Sequence, residues 1–144
     1  MQELDDLLEK CGFVKQNNAN YDFLTIEQNI GFSLPADYKY YLNNYEPFDD
    51  WIGEQYVSLY NFDTVIQMNS FVTDESMNNQ MRLSKTVAIG SNGASEIIGL
   101  RSMSDLSFLA VIGQYIYDLD DHIKIGISFT DMVQRLYNGA DWFK

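Results

Sequence analysis

The chain has 144 residues, 46% of them hydrophobic and 15% aromatic, and its 21 acidic and nine basic side chains leave a formal net charge of -12. That apolar content is enough for one packed core of ordinary domain size and excludes a disordered chain. The negative field disfavours nucleic-acid backbones and anionic lipid surfaces, both of which are bound through clustered Lys and Arg.

Cys11 and His122 are the sole cysteine and histidine, which excludes an intrachain disulfide, a Cys-based zinc site and a multi-histidine metal site. The sequence therefore predicts no cofactor. There is no apolar run of membrane-spanning length, and the start "MQELDDLLEK" is acidic where a secretory signal is basic, so the expected location is cytoplasmic.

Leu4, Leu7, Leu8 and Cys11 share one helix face, with Asp5 and Asp6 near its positive end and Gly12 as its stop. After the polar "KQNNAN", Thr25 and Gln28 form a capping-box pattern for a short helix ending at Gly31. Pro35 then opens a third helix at Leu34 or Pro35, because its missing N–H costs nothing in a first turn, and Asp37 follows where the dipole favours an anion. Tyr38, Tyr41, Leu42 and Tyr45 recur at helical spacing, so they are assigned to the core with hydroxyls reaching the rim. Tyr40 lies off that stripe and is expected to be exposed, and Pro47 halts the helix.

"FDDWIGE" reads as a loop, and "YVSLYNF" as a strand. Asp63 is the expected cap of a fourth helix patterned on Val65, Ile66, Met68 or Asn69, and Val72, with "TDESMNNQMR" as its frayed end or a loop. "TVAIGS" and "EIIGLR" flank an Asn-Gly, a strong hairpin signal in which both residues tolerate positive φ. "SFLAVIGQYIY" predicts a longer strand, "DLDD" a carboxylate-bearing turn, and "HIKIGI" a half-buried strand. Ser128 and Asp131 then cap a last helix with Phe129, Met132, Val133, Leu136 and Tyr137 on one face, ending at Gly139. Strands joined this tightly are antiparallel. The expected fold class is α+β, a single domain over 1–144 with N-terminal helices, a central antiparallel sheet and a C-terminal helix.

The strings "IEQNIGFSLPADYKYYLNNY", "VAIGSNGASEIIGL" and "ISFTDMVQRLYNG", in this order, resemble the helix-Leu-Pro-helix segment, central hairpin and closing Ser-Phe helix of the SUKH superfamily. That group includes the fungal cell-wall-assembly regulator and many bacterial relatives. The positions that carry over at fold level are Leu34, Pro35, Tyr38, Leu42, Gly90, Gly93, Ser128 and Phe129. The resemblance implies a six-stranded or similar antiparallel sheet packed by helices and a non-enzymatic role. For bacterial members that role is immunity, the binding and neutralising of a toxin domain such as a nuclease or deaminase. The alternative is a regulator or scaffold of the cell-wall-assembly type. The chain departs from the family in "NNYEPFDDW", which has no glycine before Gly53 where relatives carry one soon after the tyrosine helix.

No motif nominates an enzyme. His122 has no nucleophile or second base placed beside it, and the serines do not form a G-x-S-x-G elbow. "YDLDDH" offers oxygen ligands, yet counting from Asp118 an EF-hand would need Gly where Ile123 stands and Glu where Phe129 stands. "GSNGASE" lacks the lysine of a phosphate loop. As a lone ring beside carboxylates, His122 reads as a solvated strand-end residue.

Two clusters remain with the equipment of a protein-binding surface: Asp49, Asp50, Trp51 and Glu54, and Tyr115, Tyr117, Asp118, Asp120, Asp121 and His122. Carboxylates steer a basic partner and rings anchor it, so the expected partner is a protein, namely a toxin domain with a basic surface. The competing reading is that both clusters only solvate turns. Whether the two are adjacent, and whether the chain self-associates, is open at this level.

Overall fold

A computed structural model describes residues 2–70 and 84–143 of the chain. Its elements are α1 (Gln2–Lys10), α2 (Leu24–Ile30), α3 (Ala36–Asn44), β1 (Asp49–Ile52), β2 (Gln55–Leu59), α4 (Phe62–Ser70), β3 (Thr86–Ser91), β4 (Ile97–Ser102), β5 (Phe108–Gly113), a single 3-10 turn (Leu119–Asp121), β6 (Ile123–Gly126) and α5 (Phe129–Tyr137). The six strands form one antiparallel sheet in sequence order, β1 to β6, as expected for an α+β chain with tight connections. Val72 and the stretch 73–82, read from sequence as helix end or loop, lie outside the described residues.

The main core is the layer between helices and sheet. Leu4, Leu7 and Leu8 of α1, the α3 tyrosines and Phe129, Met132 and Val133 of α5 pack against Val57, Val87, Ile98, Leu100 and Ile112. Phe129 is fully buried between Tyr38 and Tyr41, at ring distances of 5.4 and 5.2 Å, and its burial contributes roughly 2–3 kcal/mol. The tyrosine stripe is therefore core. Of its hydroxyls, those of Tyr38 and Tyr41 stay inside, whereas that of Tyr45 reaches the part-exposed Asp5. Tyr41 accepts the Phe48 N–H at 3.1 Å inside the protein, and Tyr45 donates to Asp5 at 2.6 Å. Tyr40 is half-buried rather than exposed, because Asp5 takes its hydroxyl too, at 2.8 Å.

Several ends differ from the sequence expectation. α2 begins at Leu24, one residue before Thr25, so Thr25 is no cap; the Leu24 N–H is taken by Asp22 at 3.0 Å. Asn61 rather than Asp63 caps α4, accepting the Thr64 N–H at 2.8 Å, because the helix starts at Phe62 and leaves Asp63 inside its first turn. α3 ends at Asn44, ahead of Pro47, where a bridge between Lys15 and Tyr45 draws the chain into an extended path. The closing helix keeps its expected cap: Ser128 accepts the Asp131 N–H and Asp131 in turn accepts the Ile127 N–H, each at 2.9 Å. Tyr137 is exposed, off the buried face of α5.

The sheet also corrects two connections. "FDDWIGE" is not a loop: Asp49–Ile52 pairs with β2 as an edge strand, and Gly53, at φ 60°, turns the hairpin. In the Asn-Gly connection only Gly93 adopts positive φ, since residues 92–96 form a longer turn than the two-residue hairpin the dipeptide suggests.

Candidate functional site

Strand register locates the two clusters. Asp49 pairs with Ser58, Ser58 with Ser91, and Ser91 with Ile97, so all four project from one face of the sheet. Ile97 belongs to a second, smaller apolar cluster with Ala88, Val111 and Ile116, on the side away from the helices. Alternation along β1 and β2 then puts Trp51 and its partner Tyr56 on this same outer face. Trp51 is 59% exposed and meets Tyr56 edge-on at 5.5 Å. The Tyr56 hydroxyl donates to Asp49, and that carboxylate holds the phenol above its ordinary value. Asp50 alternates away from the face, and Glu54 sits in the turn; both are exposed.

The second cluster reaches the same face by another route. The expected long strand stops at Gly113, and residues 114–122 form a strap that folds back across β4 instead of continuing the sheet. Its anchor is Ile116, buried over Gly99 so closely that a Cβ there would lie 2.7 Å from the Ile116 Cδ1. Gly99 thus gives the Ile116 side chain its seat, and a Cβ there would force the side chains of Ile116 and Thr86 to shift.

Polar bonds complete the fastening. Asp121 accepts the Tyr115 N–H at 2.5 Å, and Asp118 accepts the Asp120 N–H at 3.0 Å, starting the 3-10 turn. His122 is not a solvated strand end. It is half-buried, with Nε2 2.5 Å from the Ile116 carbonyl oxygen and Nδ1 3.3 Å from the Arg101 guanidinium. A carbonyl only accepts and a guanidinium only donates, so both contacts are satisfied by the neutral ring carrying its proton on Nε2. Burial pushes the ring below its ordinary pKa; the bond to the Ile116 carbonyl is the largest opposing effect, the Arg101 charge reinforces burial, and Asp121 and Asp118 oppose it more weakly.

The two clusters therefore share one face of the sheet, free of helices among the described residues, the first on the edge strand β1 and the second on the strap over β4 and β5, three to four strand spacings away or roughly 14–19 Å at about 4.8 Å each. Tyr115, 50% exposed, lies 5.9 Å from Tyr117, which is half-buried against Ile116 and its neighbours. Asp118 and Asp120 are exposed, whereas Asp121 is held inside the strap. Three participants escaped the sequence reading: Tyr56, Ile116 and Arg101. The β-rich content of "YVSLYNF" pointed to a strand but not to the face Tyr56 occupies, and no local signal pairs Ile116 with Gly99 or Arg101 with His122.

Among the described residues no three His, Cys, Asp or Glu side chains are grouped to hold a metal ion, and no helix is long and apolar enough to cross a membrane. A groove of about 630 Å³ lined by Phe32, Pro35, Met103, Leu106 and Phe108 opens at the opposite end of the sheet and contains none of the candidate residues. No protein-family model matches the chain, and no curated protein matches it.

Proposed function

We propose that this chain is a protein-binding module of the immunity type, which neutralises a toxin domain with a basic surface, such as a nuclease or deaminase, by non-covalent docking in the cytoplasm. The observation that carries the reading is the sharing of one sheet face, free of helices among the described residues, by Asp49 and Trp51 on the edge strand and Tyr115, Asp118 and Asp120 on the strap. A nucleic-acid-processing domain carries a positive groove, and carboxylates spaced across a face attract it from a distance. Exposed rings beside those carboxylates supply the desolvated anchors on which affinity depends. Both nitrogens of His122 are engaged within the fold, so the reading assigns it to shaping the surface rather than to proton transfer.

The test is association with the toxin domain encoded beside this chain's gene, followed by stopped-flow mixing at low and high salt. Rates should fall steeply with salt and should drop several-fold in Asp49→Lys/Asp50→Lys and in Asp120→Lys. Asp118 and Asp121 are left intact because they hold the strap. Binding indifferent to salt and to both variants would reject the acidic face as the docking surface. A growth or envelope defect on deletion, with no toxin present, would favour the regulator reading instead.

A further inference from the structure

The strap is fastened by the chain's only histidine, in an arrangement that tolerates one protonation state. Neutral His122 donates from Nε2 to the Ile116 carbonyl and presents the Nδ1 lone pair to Arg101. Adding a proton would place an N–H on Nδ1 directly against the guanidinium, so an acceptor becomes a second donor and two positive charges meet at hydrogen-bond distance. We infer that His122 is a pH-operated latch: neutral, it holds residues 114–121 against the outer face of the sheet, and protonated, it lets that strap lift away locally while the sheet stays folded. This inference concerns the strap itself and holds whatever the chain binds.

The charged groups around the ring do not all act in one direction. Arg101 approaches from β4, while Asp118 and Asp121 belong to the strap and favour the cation; β5 offers the uncharged Val111 and Gly113, and Lys124 on β6 is exposed. The balance goes against protonation in the closed state, because burial, reinforced by Arg101, outweighs the Ile116 carbonyl and the two carboxylates together. Once the strap lifts, taking Ile116 with it, the ring loses its cover and its contact with the Ile116 carbonyl, and the imidazole returns toward its ordinary value near 6.5. The open state thus binds the proton more tightly than the closed one, and acid favours opening. Between the closed and open values the opening equilibrium rises by up to about tenfold per pH unit.

The remaining fastening identifies what moves. Ile116 leaves its seat over Gly99, the Asp121 bond to Tyr115 N–H breaks, and the turn bond from Asp118 N–H to the Tyr115 carbonyl, 2.9 Å when closed, is lost with it. What is uncovered is the apolar strip of Ala88, Gly99 and Val111.

Amide hydrogen exchange, corrected for intrinsic rates, reads this directly. Between pH 7 and pH 5 the protection of Tyr115 and Asp118 should fall several-fold or more, while Leu100 in β4 keeps its protection. An NMR titration of the single imidazole should place it below the ordinary histidine value. His122→Gln retains a donor for the Ile116 carbonyl but cannot titrate, so it should remove the pH step. Gly99→Ala, which displaces Ile116, should lower strap protection at every pH. Protection that does not change with pH, a step that persists in His122→Gln, an imidazole that titrates at or above 6.5, or loss at Leu100 in parallel with Tyr115 would each overturn the latch.

Discussion

Asn69 acts as a missing strand for Ala88. Its Oδ1 accepts the Ala88 N–H at 2.8 Å and its Nδ2 donates to the Ala88 carbonyl at 2.9 Å. β2 pairs with β3 only at Ser91 and Gly90, so the next stretch of β3 has no strand on that side among the described residues, and a side chain of α4 supplies the bonds. Asn69 is 1% exposed, and Nδ2 also reaches the Val65 carbonyl at 2.7 Å.

Replacing Asn69 by Leu leaves the Ala88 N–H and carbonyl buried without partners. At about 1–3 kcal/mol for each orphaned group, Asn69→Leu should cost roughly 2–6 kcal/mol. Urea unfolding monitored by tryptophan fluorescence measures it, and a loss under half a kilocalorie would show that β3 does not depend on this contact.

Asp5 joins α1 to the tyrosine helix, and its effect on stability depends on pH. Burial raises its pKa, but the Tyr45 and Tyr40 hydroxyls and Lys15 together outweigh that and hold the carboxyl below its ordinary value. The unfolded chain therefore binds this proton more readily than the folded one. The resulting stability is present above the ordinary aspartate range and is lost as pH falls through the folded value. Asp105, held low by Ser107, contributes a slope of the same sign, so the difference between wild type and Asp5→Asn isolates Asp5. The melting temperature of Asp5→Asn should converge on that of wild type as pH is lowered from 5 toward 2.5; a gap that stays constant would exclude the coupling.

Tyr38 and Tyr41 occupy the same stripe and should respond oppositely to loss of the hydroxyl. The Tyr38 hydroxyl is fully buried and has no hydrogen-bond partner among the described residues, whereas the Tyr41 hydroxyl accepts the Phe48 N–H. Tyr38→Phe should be neutral or stabilising by up to about 1 kcal/mol, and Tyr41→Phe should cost about 1–2 kcal/mol by orphaning a buried N–H. Thermal unfolding of the two variants side by side decides it, and equal losses would sink the distinction.

Trp51 is expected to separate binding from stability. Its exposed ring touches little beyond Tyr56, so Trp51→Ala should change unfolding free energy by less than about 0.5 kcal/mol. As an anchor on the proposed docking face, its loss should weaken partner affinity by about thirtyfold, equivalent to about 2 kcal/mol. Calorimetric titration with the partner gives the affinity, and an unchanged value would remove Trp51 from the surface.

Much of this architecture is local and was legible residue by residue. The spacing of Tyr38, Tyr41, Leu42 and Tyr45 marked a buried helix face, and Ser128 with Asp131 marked a helix start, because both signals involve neighbours one helical turn apart. Helix starts were misread at Thr25 and Asp63, where a carboxylate or amide just upstream, Asp22 or Asn61, took the orphan N–H first. β1 was hidden because an edge strand with Asp49, Asp50 and Trp51 exposed shows no buried alternation.

The sequence by itself determined the α+β class, the antiparallel pairing of tightly connected strands, the acidic field and the absence of histidine and cysteine sets, since each follows from composition or from neighbours along the chain. Only the tertiary structure decided that Asp49 and Trp51 share a face with the 114–122 strap, that Ile116 seats on Gly99, and that His122 sits between Arg101 and the Ile116 carbonyl. These relations join residues on different strands through register and chain reversal, and a one-dimensional pattern does not encode which face a reversal returns to.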